Sequence, residues 1–334
     1  VDYHNGIRDA KKRVMRMIGE PAVRYREDPV RIIRAVRFMA KLSHLGFTME
    51  RATREPLVAS ARLLADVPQS RLFDEMLKLL QTGHALATIE SLQALNLATG
   101  IYPLLDLAVA RASDPFVHQA LADTDRRVNE DKPVAPSFLL ACILWSDVRV
   151  GWSKRLARQK GPRASSFPAL QEAVDEVFES RIGDVSGRGK LGADMREIWT
   201  MQPRFEKRTP ASALSLVSQP RFRAGFDFLR LRANVGEVDS ELATWWETFS
   251  LADEDVRNDI LEAMRSQKGV PRKRVVKASA APGVDDVTDE AEPLPSSDGD
   301  AQDAPRKRRR RRRKPNDGGV SGADNGRADS DAAA

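Results

Sequence analysis

Four charged residues stand three apart near the start of the chain: Asp28, Arg31, Arg34 and Arg37. On a helix that spacing puts them on one face, a carboxylate followed by a ladder of guanidinium groups. A helix is predicted over 28–42, because Ile32, Ile33, Val36, Met39 and Ala40 recur at helical spacing on the opposite side. Pro29 suits a first turn, and the carboxylate before it suits a helix N-terminus. Two chemistries are open to such a face. One is ion pairing on a solvated helix, about 0.2–0.5 kcal/mol per pair. The other is a polar edge that meets a nucleotide. An Asp acceptor beside an Arg donor can imitate the Watson–Crick edge of a base, and further arginines can hold phosphates bidentately.

Other candidates are weaker. Asp123-Thr124-Asp125 has the carboxylate spacing of a metal-assisted phosphoryl-transfer centre. It has no flanking strands and no Gly-Ser loop, and is predicted to be a solvated turn. Gly187-Arg188-Gly189-Lys190-Leu191-Gly192 carries the spaced glycines of a dinucleotide loop but no preceding strand, so 181–192 is predicted to be an ordinary loop. A second, basic loop is predicted over 158–163. Cys142 lies in an apolar run, 138–145, and reads as core packing. Trp245 and Trp246 fall on different faces of a predicted helix, so at least one belongs to the core, and base stacking is open to the other.

The elements that must position these residues are helical. Beyond 28–42, helical periodicity is predicted at 50–64, 70–80, 84–95, 136–145, 167–178, 193–201, 220–231, 239–249 and 253–264, with no convincing strand between them. The expected fold class is all-α. The chain has 334 residues, a net charge of +6 and an isoelectric point near 9.5, which points to a polyanionic partner. All five Trp precede residue 267, and no aromatic follows it. That end is expected to be disordered, because it cannot bury enough apolar surface to offset ordering entropy. It contains an unbroken basic run, 306–314, that includes Arg308, Arg309, Arg310, Arg311 and Arg312. Such an arm would condense on RNA phosphates, with an anionic membrane surface as the other plausible target. The single cysteine excludes an internal disulfide and fits a cytoplasmic protein. No apolar run reaches the ~20 residues of a membrane-spanning helix.

Glu27-Asp28-Pro29-Val30-Arg31 resembles the EDxxR motif of the class II nucleotidyltransferases, which comprise bacterial poly(A) polymerases and tRNA CCA-adding enzymes. The continuation Ile32-Ile33-Arg34-Ala35-Val36-Arg37-Phe38 is similar to that family's next helix. Val1-Asp2-Tyr3-His4-Asn5-Gly6-Ile7-Arg8-Asp9 resembles the segment that follows the catalytic head. The stretch 66–80, the body helices and the basic end are closer to poly(A) polymerases. No adjacent His-Asp pair, the mark of the module many CCA-adding enzymes append, occurs.

The resemblance implies that Asp28 and Arg31 contact the incoming base, with Arg34 beside them or near the triphosphate. It implies a lesser, linking role for Asp2 and Asp9. RNA would follow basic faces that include Arg34, Arg37, Lys41 and the stretch from Lys154 to Arg163, and RNA-decay proteins are possible partners. ATP and Mg²⁺ are the implied cofactors, with the metal carboxylates on a head that precedes Val1, so this chain alone is not expected to polymerise. The implied divisions are a linker at 1–26, a neck at 27–100, a body at 101–266 and an arginine-rich tail at 267–334. A CCA-adding enzyme body and a head-less RNA-binding protein are the alternatives.

Overall fold

Prolines and short polar side chains punctuate the chain, and helices begin where they fall. The computed structural model describes residues 1–158, 166–181 and 189–268. The first helices are α1 (Gly6–Lys12), α2 (Pro21–Glu27), α3 (Val30–Ser43), α4 (Arg51–Ala59), α5 (Gln69–Leu80), α6 (Ala85–Ala94), α7 (Pro103–Ala110) and α8 (Pro115–Asn129). They are followed by α9 (Pro136–Arg158), α10 (Ser166–Arg181), α11 (Gly189–Lys207), α12 (Pro210–Val217), α13 (Phe222–Asn234), α14 (Ser240–Leu251) and α15 (Glu254–Lys268). Pro21, Pro103, Pro115 and Pro210 occupy first-turn positions, where a missing N–H breaks no helical bond. Asp114 caps α8 by accepting from the Phe116 and Val117 N–H groups at 3.0 and 3.1 Å. None of the described helices is long and apolar enough to cross a membrane.

The all-α expectation holds, with several corrections. Val14–Met15 (β1) and Thr48–Met49 (β2) pair in a parallel ladder where no strand was expected. Two residues are too few to leave a period-two pattern. The helix predicted to end at 145 runs on as α9 to Arg158, and buried Val148 and Trp152 carry its inner face onward. Gly189 and Gly192 open α11 instead of belonging to a loop. Residues 182–188 of that predicted loop, and 159–163 of the basic one, lie outside the described residues.

The Asp123-Thr124-Asp125 segment lies inside α8, not in a solvated turn. Thr124 is buried, and Asp125 accepts from the Ala85 and Leu86 N–H groups at 2.7 and 3.2 Å. Asp125 therefore caps α6 from a distant helix, although burial still pushes its carboxyl above the usual range.

One apolar cluster reaches from Tyr25 to Leu231 through both the expected neck and the expected body. Phe228 of α13 plugs it, with its ring against Phe116, Trp145 and Phe138 at centroid distances of 5.1, 5.2 and 6.4 Å. A second cluster gathers Phe205, Phe222, Phe226, Trp246 and Phe249. Helix α13 feeds both, and it approaches α11 closely at Gly225. A Cβ there would stand 2.6 Å from Met201 Sδ and 3.3 Å from the Phe205 ring. Gly225→Ala is accordingly expected to overpack this crossing and lower unfolding free energy by about 1–3 kcal/mol in a urea titration.

Candidate functional site

The acid-and-arginine face is split between two elements, because Pro29 follows Asp28. A residue before proline is driven out of the helical region. Asp28 accordingly closes α2 in an extended conformation (φ −146°, ψ 91°), and α3 begins at Val30. Arg31, Arg34 and Arg37 stay together on α3, whose other face buries Ile32, Ile33, Val36 and Ala40.

What holds that face is α5. Arg34 Nε and Nη2 donate to Glu75 Oε1 at 3.2 and 3.0 Å. Lys78 Nζ donates to the same oxygen at 2.9 Å, and Arg37 Nη2 lies 3.6 Å from Oε2. Glu75 is only 1% exposed. Burial pushes its carboxyl up, but the bonds from Arg34 and Lys78 outweigh burial and hold it below the usual range. Glu75 in turn raises the Arg34 guanidinium.

Asp28 reaches α5 as well. Arg71 Nη2 lies 2.9 Å from Asp28 Oδ1 and 3.0 Å from Oδ2. One guanidinium nitrogen leaves a carboxylate with further acceptor sites. Glu27 is exposed at the helix end and accepts from Arg24 at 2.6 Å and from Arg31 at 3.2 Å. A cavity of about 320 Å³ opens here, lined by Arg24, Arg31 and Arg34 together with apolar Met17, Ile18 and Phe38. Lys41 is exposed at the end of α3, and the Arg37 guanidinium sits 4.9 Å from the Phe38 ring centroid.

The preceding segment is tied to this site. Asp2 accepts from the Gly6 and Ile7 N–H groups, both at 2.9 Å, and these bonds lower its carboxyl. Asp9 is nearly buried and is held below the usual carboxylate range chiefly by Arg16, whose Nε donates to it at 2.7 Å. Arg16 also bonds Glu50, at the start of α4. Arg308, Arg309, Arg310, Arg311 and Arg312 lie outside the described residues.

Sequence reasoning missed Arg71 and Glu75 as the partners of Asp28 and Arg34. They lie 43 and 41 residues from the side chains they hold. A signal was present: Glu75 interrupts the apolar stripe of Leu72, Phe73, Met76 and Leu79, and a carboxylate on a buried face requires cations opposite. No group of three or more His, Cys, Asp or Glu among the described residues could hold a metal ion. The described residues therefore do not fit the implied Mg²⁺.

Residues 46–108 match the family region described as the probable RNA and SrmB-binding site of polymerase A, and residues 163–279 match the polymerase A arginine-rich C-terminus. Poly(A) polymerase I of Haemophilus influenzae is 33% identical over 278 residues, 82% of this chain. The chain belongs to the poly(A) polymerase family. The poly(A) polymerase I of Salmonella typhi is 34% identical over 286 residues, also 82% of the chain. A CCA-adding enzyme of Bacillus velezensis is 40% identical over 92 residues, 28% of this chain and 22% of that enzyme. The chain spans 60% of the length of each of these two poly(A) polymerase relatives.

Glu75→Gln should lower unfolding free energy by about 1–3 kcal/mol at pH 7. Because the folded carboxyl titrates below its unfolded value of about 4.3, its stabilisation is complete above that pH and disappears as pH falls through the folded value. In urea titrations across pH, the gap between wild type and variant should therefore narrow below about pH 4.3.

Proposed function

We propose that this chain is the nucleotide-selecting and RNA-binding part of a poly(A) polymerase that adds AMP from ATP to RNA 3′ ends in the cytoplasm. Asp28, Arg31 and Arg34 form the selecting edge. Adenine presents an amino donor beside a ring-nitrogen acceptor, which suits a carboxylate paired with a guanidinium. The observation that carries this reading is the double hold from α5, Arg71 on Asp28 and Glu75 on Arg34, beside a cavity lined by Arg31 and Arg34. Selection by side chains needs such preorganisation, since a loosely held donor and acceptor discriminate poorly.

RNA would run along the cations on and beside α3, where Lys41 is exposed and Arg37 and Lys78 lean on Glu75. Arg37 and Lys41 on α3, joined by exposed Lys78 on α5, make a basic stripe next to the selecting edge. The basic tail would add grip without sequence preference. The matched description of residues 46–108 also names SrmB, and the same neck surface is the proposed seat for partners in RNA decay. The catalytic carboxylates and their Mg²⁺ are proposed to lie on a separate head.

In the full-length enzyme, Asp28→Ala and Arg31→Ala should each lower the preference for ATP over CTP by about tenfold or more. RNA affinity should stay within about twofold. Competition assays with both nucleotides measure the ratio. An unchanged ratio in both variants refutes the assignment, and ordered addition of C, C and A to tRNA would replace it with a CCA-adding one.

A further inference from the structure

Trp245 and Trp246 separate in the fold. Trp246 is buried, and its indole N–H donates to the Phe205 carbonyl at 3.0 Å. Trp245 keeps part of its ring at the surface of α14. One side of that ring stacks on Phe249, with centroids 4.9 Å apart and planes 10° from parallel. The Arg208 guanidinium stands 5.6 Å from its centroid.

Trp245 borders a cavity of about 610 Å³, lined also by Glu206, Lys207 and Arg208 at the end of α11 and by Ile260 and Met264 of α15. Glu206 is engaged, accepting from Arg232 Nη2 at 3.2 Å. Lys207 and Arg208 make no ion pair among the described residues. An indole with an open cavity beside it, an arginine against its ring and two cations without a carboxylate partner among the described residues is the chemistry that takes a base and its phosphate. One more fact favours RNA over an apolar peptide: the basic stretch Arg272-Lys273-Arg274 begins four residues after α15 ends.

We propose that Trp245, with Lys207 and Arg208, forms a stacking site for one base of single-stranded RNA, remote in sequence from the selecting edge at α3. It rests on the RNA-binding reading above and adds a defined contact to it. The indole supplies a sequence-tolerant platform, and the two cations hold the adjoining phosphates.

The test uses the full chain and a fluorescein-labelled 15-nucleotide oligo(A), with anisotropy titrations at several salt concentrations. Trp245→Leu should weaken binding about tenfold without changing the salt slope, and Trp245→Phe should restore most of the loss. Removing Lys207 and Arg208 together should instead flatten the slope by about 0.7 for each phosphate that is no longer neutralised. Thermal melts confirm that the variants fold. A Trp245→Leu protein that folds and binds within twofold of wild type overturns the proposal. Photo-crosslinking wild type to 4-thiouridine RNA decides the matter without any variant: adducts on the peptide containing Trp245 support the site, and adducts found only elsewhere overturn it. A wild-type chain that binds no oligo(A) sinks the RNA reading itself, and this site with it.

Discussion

A single buried carboxylate organises the arginine face of this protein. Glu75 sits on the inner side of α5 and gathers Arg34, Arg37 and Lys78 around its two oxygens. Burying an isolated carboxylate is strongly unfavourable, and only the cations converging on it make the position tolerable. The geometry is reciprocal. α5 needs the arginines of α3 to satisfy its acid, and α3 needs that acid to stop its arginines from wandering in solvent. Apolar packing of Ile32, Ile33 and Val36 seats α3 but cannot aim its guanidinium groups, because the hydrophobic effect is non-directional.

The same helix supports the other half of the proposed selecting edge. Arg71 holds Asp28, which sits in the break between α2 and α3. α5 thus supplies a cation to an acid and an acid to a cation, four positions apart on one surface. Placing Asp28 outside the helix gives its carboxylate a direction independent of the arginine ladder. The rest of the fold serves this arrangement at a distance: Arg16 ties α1 to α4, Asp125 caps α6, and Phe228 closes the larger core.

Much of this was legible in the sequence. Helical periodicity located α3 to α6, α9 to α11 and α13 to α15 but passed over α1, α2, α7, α8 and α12, and the EDxxR resemblance pointed to the family to which the chain belongs. The illegible parts share a physical cause, dependence on contacts between distant positions. Nothing local says that Glu75 will meet Arg34, or that Asp125 will serve the N-terminus of α6. The break at Asp28 was legible in principle, since proline restricts the residue before it. The extent of α9 was obscured because its second half is polar on the outside, with only Val148 and Trp152 continuing the buried stripe. The β1–β2 ladder is too short for any pattern to announce it.

The central claim is that Glu75 locks the arginine face of α3 onto α5, and a double-mutant cycle tests it most directly. Unfolding free energies of wild type, Glu75→Ala, Arg34→Ala and the double variant would be measured by urea titration at pH 7. The expected result is a coupling of about 1 kcal/mol, with the double variant more stable than the sum of the single losses implies. Losses that add to within about 0.3 kcal/mol would contradict the claim and leave the Glu75–Arg34 contact without energetic consequence.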